Sequence, residues 1–272
     1  MKKIVKENSK DIVIVAIVLL LISINIYNYI YDALYINFFP TKGINAFSFW
    51  YYVRVDNLGE ILVFLSPLIV TILGISRLNN ELNSGIYKDM ILKMGYKKYF
   101  RRKIKYSYMN GGLFFSLISI VVFSIGLLLF SDKITIANNG INVLYLPEGL
   151  QSSPYLYVFL TIILNIIYSV TIINISLIVQ LFVKKIYLIL LISFVSINFT
   201  NYAVANIFIL IANIIKRSDL LYSIENINIF GGYSPILSIG FAFISVSIWC
   251  IISFVFTYMF YHKRERILQF YD

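Results

Sequence analysis

Apolar residues along this chain gather in long unbroken stretches, separated by short polar segments. Six stretches stand out: Ile12–Ile30, Gly59–Ser76, Gly111–Phe130, Leu156–Val183, Ile186–Ile215 and Ile236–Tyr261. A hydrocarbon layer of roughly 30 Å takes about 20 apolar residues as a helix, because every backbone donor must be satisfied inside the span. Apolar and polar residues do not alternate at a period of two, which argues against a transmembrane β-barrel. The pattern predicts an all-α polytopic membrane protein, one transmembrane domain over residues 1–272, with spans near 12–30, 59–76, 111–130, 156–183, 186–201 and 236–261.

The fifth stretch is too long for one crossing. Ile186–Ile215 as a helix covers about 45 Å at 1.5 Å per residue. Asn198, Thr200 and Asn201 interrupt it. Two full crossings need about 40 residues and would carry the basic His262-Lys263-Arg264-Glu265-Arg266 segment outside. The favoured reading is one crossing to residue 201, then an outer re-entrant or interfacial segment over 202–215. Phe208, Ile209 and Leu210 on that segment are the candidate outer gate. A single over-long, tilted helix is the alternative.

Between the second and third stretches lies a polar island. Arg77, Lys88, Lys93, Lys97, Lys98, Arg101, Arg102, Lys103 and Lys105 are nine of the chain's 23 Lys and Arg residues. Leu78, Leu82, Ile86, Met90 and Met94 recur every four residues as an apolar stripe, with Glu81, Gly85 and Asp89 on a neighbouring face. Asn83-Ser84-Gly85 is a turn signal and Gly95 a stop. The loop 77–109 therefore reads as the end of span two, a turn, a short helix Ile86–Met94, a second turn, and a basic lead-in from Tyr96. The other long connections read as loops. Tyr31–Leu58 holds Phe38, Phe39, Phe47, Phe49, Trp50, Tyr51 and Tyr52, a ring density suited to the headgroup layer on the outer surface. Ser131–Pro154 carries Asn138-Asn139-Gly140 and Pro147 as turn signals.

Composition agrees with this layout. The chain is 60% hydrophobic with mean hydropathy +0.82, and charged residues at 13% leave no room for a soluble domain beside the spans. Its net charge of +10 reports topology and contact with anionic lipids, and no nucleic-acid role, because the basic residues follow alternate loops. Eighteen lie at the start, in the island, at Lys184-Lys185 and after span six; five lie on the other side, at Lys42, Arg54, Lys133, Lys216 and Arg217. This places both termini in the cytoplasm. The basic start and first apolar run lack a small-x-small cleavage pattern and read as an uncleaved first span.

Catalytic groups are sparse. There is no G-x-x-x-x-G-K-[ST] phosphate loop. Cys250 and His262 are the only cysteine and histidine, which gives no disulfide within the chain and no zinc constellation. No catalytic or metal site is assigned, and no cofactor is expected on this chain. Charged residues are not read deep within any span, with Glu60 at a mouth, which disfavours a proton-coupled antiporter. Asn25, Asn165, Asn174, Gln180, Asn198 and Asn206 lend the spans uncharged polarity. That polarity serves either interhelical hydrogen bonds or a weakly polar path for an amphipathic cargo.

Three runs carry a resemblance: Pro67-Leu68-Ile69, Glu81-Leu82-Asn83-Ser84-Gly85-Ile86-Tyr87-Lys88 and Tyr96-Lys97-Lys98-Tyr99-Phe100-Arg101-Arg102-Lys103. Together they resemble the first cytoplasmic loop of type-2 ABC exporter permeases, with a Glu about four residues before a Gly, a coupling helix and an aromatic-basic lead-in. The motif likeness covers about 40 residues, and the lead-in lacks the Pro-x-Ser/Thr-Arg of many members. The resemblance implies a permease subunit in a bacterial plasma membrane, without an ATPase of its own. It would pair with a second permease copy or paralogue and with separate cytoplasmic ATPase subunits that carry ATP and Mg. Ile86–Met94 would be the coupling helix, and Glu81, Gly85, Ile86, Tyr87, Asp89, Met90 and Met94 the ATPase-coupling residues, with Glu81 either contacting the ATPase or bracing the loop. Cargo would be an amphipathic peptide, lipid-like or drug-like compound. A stand-alone membrane immunity or accessory protein, which binds a partner and transports nothing, is the alternative reading.

Overall fold

The computed structural model describes residues 2–35, 45–55, 57–130, 153–215 and 236–262. Every regular element among them is helical: α1 (Lys2–Tyr35), α2 (Ala46–Val55), α3 (Asn57–Asn83), α4 (Ile86–Met94), α5 (Tyr96–Ser107), a π-helical turn (Tyr108–Gly112), α6 (Phe114–Leu129), α7 (Pro154–Gln180), α8 (Ile186–Ile215) and α9 (Ile236–His262). Among the described residues, three stretches are long and apolar enough to cross a membrane: Asp11–Tyr31, Tyr96–Leu129 and Pro154–Gln180. Ile186–Phe199 within α8 and Val246–Tyr261 within α9 are further apolar helical stretches. Among the described residues the chain is all-helical, and its long apolar helices are those of a membrane protein.

α7 is the axis of the bundle. Of its apolar window 56% is buried, against 22% in α1 and 33% in the stretch containing α6. It packs on α3, α6, α8 and α9. Pro154 at its first turn costs nothing, since that N–H has no helical partner in any case. α3 and the π turn come unusually close at Gly111. A β-carbon there would stand 2.8 Å from the Val70 carbonyl oxygen and 3.0 Å from Ile173 Cδ1, so only hydrogen fits between the backbones.

Polar side chains inside the bundle tie helices together. Thr71 Oγ1 and Ser176 Oγ are 2.8 Å apart. Asn174 on α7 accepts from the Tyr108 hydroxyl through Oδ1 and donates from Nδ2 to Ser253 on α9 at 3.2 Å. Gln180 Nε2 faces Asn79 Oδ1 at 3.5 Å. In lipid these bonds, each worth about 0.5–2 kcal/mol, replace the hydrophobic drive that water would supply. Of the two roles read for this polarity, helix-to-helix bonding describes Asn174, Gln180 and Asn25, whose Nδ2 donates to the Val53 carbonyl of α2 at 3.1 Å. Asn206 lies where side chains are outside the described residues.

Two expectations need correction. The aromatic segment Tyr31–Leu58 does not lie wholly on the outer surface as a loop. Its second half is α2, with Phe47, Phe49 and Trp50 wholly buried. Asn45 caps this helix: its Oδ1 accepts from the N–H groups of Phe47 and Ser48 at 3.0 and 2.9 Å. Phe47 packs edge-on to Tyr155, Phe49 packs against Phe130, and the Trp50 indole N–H donates to Ser119 Oγ at 3.0 Å. Each ring finds a shaped apolar site, and the indole a partner, so burial wins over the headgroup layer.

The second correction concerns α8. The break expected at 201/202, with a separate re-entrant piece over 202–215, does not occur; Ile186–Ile215 is one helix of 30 residues. Asn198 is one of the residues, with Thr200 and Asn201, that point to an interruption. Its Nδ2 instead donates to the carbonyl of Phe194, one turn back on the same helix, at 2.9 Å. The amide is thus satisfied without leaving the helix.

Most of the Ser131–Pro154 loop, the basic residues after His262, and the side chains of Lys2–Lys10 lie outside the described residues.

Candidate functional site

The polar island folds into two short helices set by two glycines. α3 ends at Asn83, and the turn closes with Ser84 N–H to Asn80 O at 3.0 Å and Gly85 N–H to Leu82 O at 3.3 Å. Gly85 has φ 76°, a left-handed conformation that is costly for any residue with a β-carbon. Gly95, at φ 81°, ends α4 and begins α5. These bounds are the ones the turn signals predicted.

Glu81 is the hub of the loop. Lys103 Nζ and Arg77 Nε donate to its Oε1, the latter at 3.4 Å, and the Tyr99 hydroxyl donates to Oε2 at 3.0 Å. The Lys103 and Glu81 side chains are only 9% and 14% exposed, so this is a pair taken out of water. A hydrogen bond with Tyr106 and the charge of Glu81 push the Arg77 guanidinium above its ordinary value, against the opposing effect of burial. The arrangement clamps α5 to the last turn of α3. Bracing the loop is therefore the role that Glu81's surroundings describe. Asn83 adds a second tie, donating from Nδ2 to the Lys184 carbonyl at 2.9 Å, and so joins the turn to the α7–α8 connection.

α4 shows two faces. Tyr87 is wholly buried, and Met90, Ile91 and Met94 pack inward against the bundle. Outward stand Ile86 at 47% and Leu92 at 85% exposure, with Lys88, Asp89 and Lys93. The apolar stripe thus divides: of its α4 members expected to meet the ATPase, Met90 and Met94 turn to the protein's own core with Leu78 and Leu82, and Ile86 turns to the outside. Leu92 is the outward apolar residue that the stripe missed. A helical wheel begun at Ile86 and not carried over from α3 would have found it, because the turn at Gly85 resets the phase.

A second site lies inside the bundle, where sequence reasoning had no charged group. Arg54, expected with the outer-loop charges, is on α2, its guanidinium 4.4 Å from the centre of the Trp50 ring. It borders a cavity of about 50 Å³ with Ser119 of α6 and Asn165 of α7. Asn165 is buried, and its Oδ1 lacks a hydrogen-bond partner. A space of this size holds water, which is what an orphaned amide oxygen needs, and no cargo. The signal in the sequence was Asn45-Ala46-Phe47-Ser48, a cap followed by an apolar run, which marks a helix carrying Arg54 inward.

Phe208, Ile209 and Leu210, the candidate outer gate, lie toward the end of α8. Leu210 is 61% exposed; the Phe208 and Ile209 side chains are outside the described residues. No protein-family model, curated protein or solved structure matches the chain.

Proposed function

We propose that this chain is the membrane-spanning permease subunit of an ATP-driven exporter of the type-2 ABC class. A separate cytoplasmic ATPase would supply ATP and Mg chemistry, and a second permease copy would complete the transporter. One observation carries this reading: a nine-residue helix held out on a clamped turn at the basic end of an apolar bundle, presenting Ile86 and Leu92 among charged residues. Exposed apolar side chains with a charged rim suit a cleft in a soluble partner. The clamp at Glu81 would pass a push on α4 to α3 and α5 as one body. For ATP to drive transport, the ATPase must bind the inward- and outward-facing states unequally.

In this reading α3, α8 and α9 cross the membrane beside the stretches Asp11–Tyr31, Tyr96–Leu129 and Pro154–Gln180, giving six spans with the basic end in a bacterial cytoplasm. Cargo would be an amphipathic peptide or a lipid-like or drug-like compound. Asn25, Asn174 and Gln180 within the protomer are used in helix-to-helix bonds, so a path would form between two permease subunits. That same filled interior favours the second reading, a stand-alone immunity or accessory protein that binds its target and transports nothing. Copurification separates them: tagged protein that brings down an ATPase with a phosphate loop supports the exporter, and recovery of the chain without one supports the alternative.

A further inference from the structure

α5 and α9 enclose a groove of about 500 Å³ at the basic end of the bundle, within the size range of ligand sites. Two adjacent stripes along α5 and the start of the π turn build one wall. Tyr96, Phe100, Ile104 and Tyr108, four residues apart, form an apolar floor, and Lys97, Arg101 and Lys105, at the same spacing, form a basic rim. The other wall is the end of the apolar helix α9, where Phe254 and Tyr258 are 49% and 60% exposed. The floor is a fixed structure: the Tyr96 hydroxyl donates to the Tyr261 carbonyl at 3.0 Å, and the Phe100 and Tyr261 rings lie 5.3 Å apart.

We propose that this groove binds one anionic phospholipid, its phosphate on Lys97, Arg101 and Lys105 and an acyl chain along Phe254 and Tyr258. The site straddles a boundary, with charge on one wall and the end of a membrane helix on the other. That combination matches a lipid, whose headgroup and chain meet at the same height. Charge complementarity points the same way. Among the described residues, the three rim cations form no ion pair, in contrast to Arg77 and Lys103 on Glu81. Among the described residues, a second copy of the chain offers little to neutralise them. Of the acidic side chains described, Asp11 is bonded to Ser76, Glu81 is clamped, and Asp89 alone is exposed. This assignment does not depend on transport.

The test uses the full chain in neutral detergent micelles, with lipid binding counted by native mass spectrometry and read as a rise in Tm. Phosphatidylglycerol should bind and raise Tm, and phosphatidylcholine should do neither. Lys97→Gln with Arg101→Gln should weaken phosphatidylglycerol binding by about tenfold or more, given the attraction of each basic residue for an anionic surface. Lys98→Gln with Arg102→Gln removes the same charge from the neighbouring face and should leave binding intact. All four residues are exposed, so the variants should fold. If the first double variant does not, Arg101→Gln against Arg102→Gln makes the same comparison. Equal loss in both variants would reduce the effect to diffuse charge and overturn the site. A Tm rise with inorganic phosphate alone would make the occupant a free anion and overturn the lipid assignment.

Discussion

Lys103 donates to Glu81 across 22 residues of chain, and through that bond the second half of the basic lead-in helix α5 is locked to the end of α3. Removing the carboxylate strands a cation that is 9% exposed. Glu81→Ala should therefore destabilise the protein by about 1–3 kcal/mol. Adding Lys103→Met should restore part of the loss, because the orphaned charge goes too. A double-mutant cycle of Tm in detergent measures this coupling; strictly additive effects would mean that the pair holds nothing together.

The two faces of α4 should respond differently to a carboxylate. Leu92→Asp adds charge to an exposed position, so membrane yield should stay normal while recovery of the ATPase is lost. Met90→Asp puts a charge against the bundle and should lower yield first, since a desolvated carboxylate lacks a partner there. Retention of the ATPase by the Leu92→Asp variant would show that α4 is not the docking element.

Gly111 and Gly85 should fail for different reasons. Gly111→Ala forces a β-carbon to within 2.8 Å of the Val70 carbonyl, and overpacking of this kind costs about 1–3 kcal/mol. Gly85→Ala meets nothing within 4 Å and bears only the left-handed backbone penalty, about 1–2 kcal/mol. Larger substitutions separate them. Gly111→Val should abolish folding and Gly85→Asn should be close to neutral, as judged by yield and Tm.

Sidedness follows from the basic residues. Cys250 is the sole cysteine, so a Cys250→Ser background allows single cysteines to be placed at will. Lys98→Cys should resist an impermeant thiol reagent in intact cells, and Asn139→Cys should react. Reaction of Lys98→Cys from outside would reverse the assigned orientation.

The short helix Ile86–Met94 was readable because two glycines mark its ends, and glycine at positive φ is a backbone requirement that no distant contact can override. The long apolar helices were readable by length alone. α2 was not, because a cluster of rings fits both a headgroup layer and a packed interior. Only the positions of Ser119, Phe123 and Tyr155, supplied by other helices, decide between them. Asn198 misled for a related reason: an amide in an apolar run breaks a helix or bonds to the turn behind it, and composition is the same either way. The inward turn of Met90 and Met94 was hidden because a stripe identifies a face without naming what the face meets.

The π-helical turn at Tyr108–Gly112 has a geometric consequence for the whole basic end. A π turn holds about one residue more than an α turn, so it shifts the angular phase of α5 against α6 by roughly 100°. The lead-in helix and the membrane helix are one rod with a built-in twist. It lets the basic rim face the groove beside α9 while α6 keeps Phe115 and Val122 toward the bundle. Deleting one residue there, such as Asn110, would straighten the rod and swing Lys97, Arg101 and Lys105 by more than a quarter turn, without changing the charge or hydropathy of either helix.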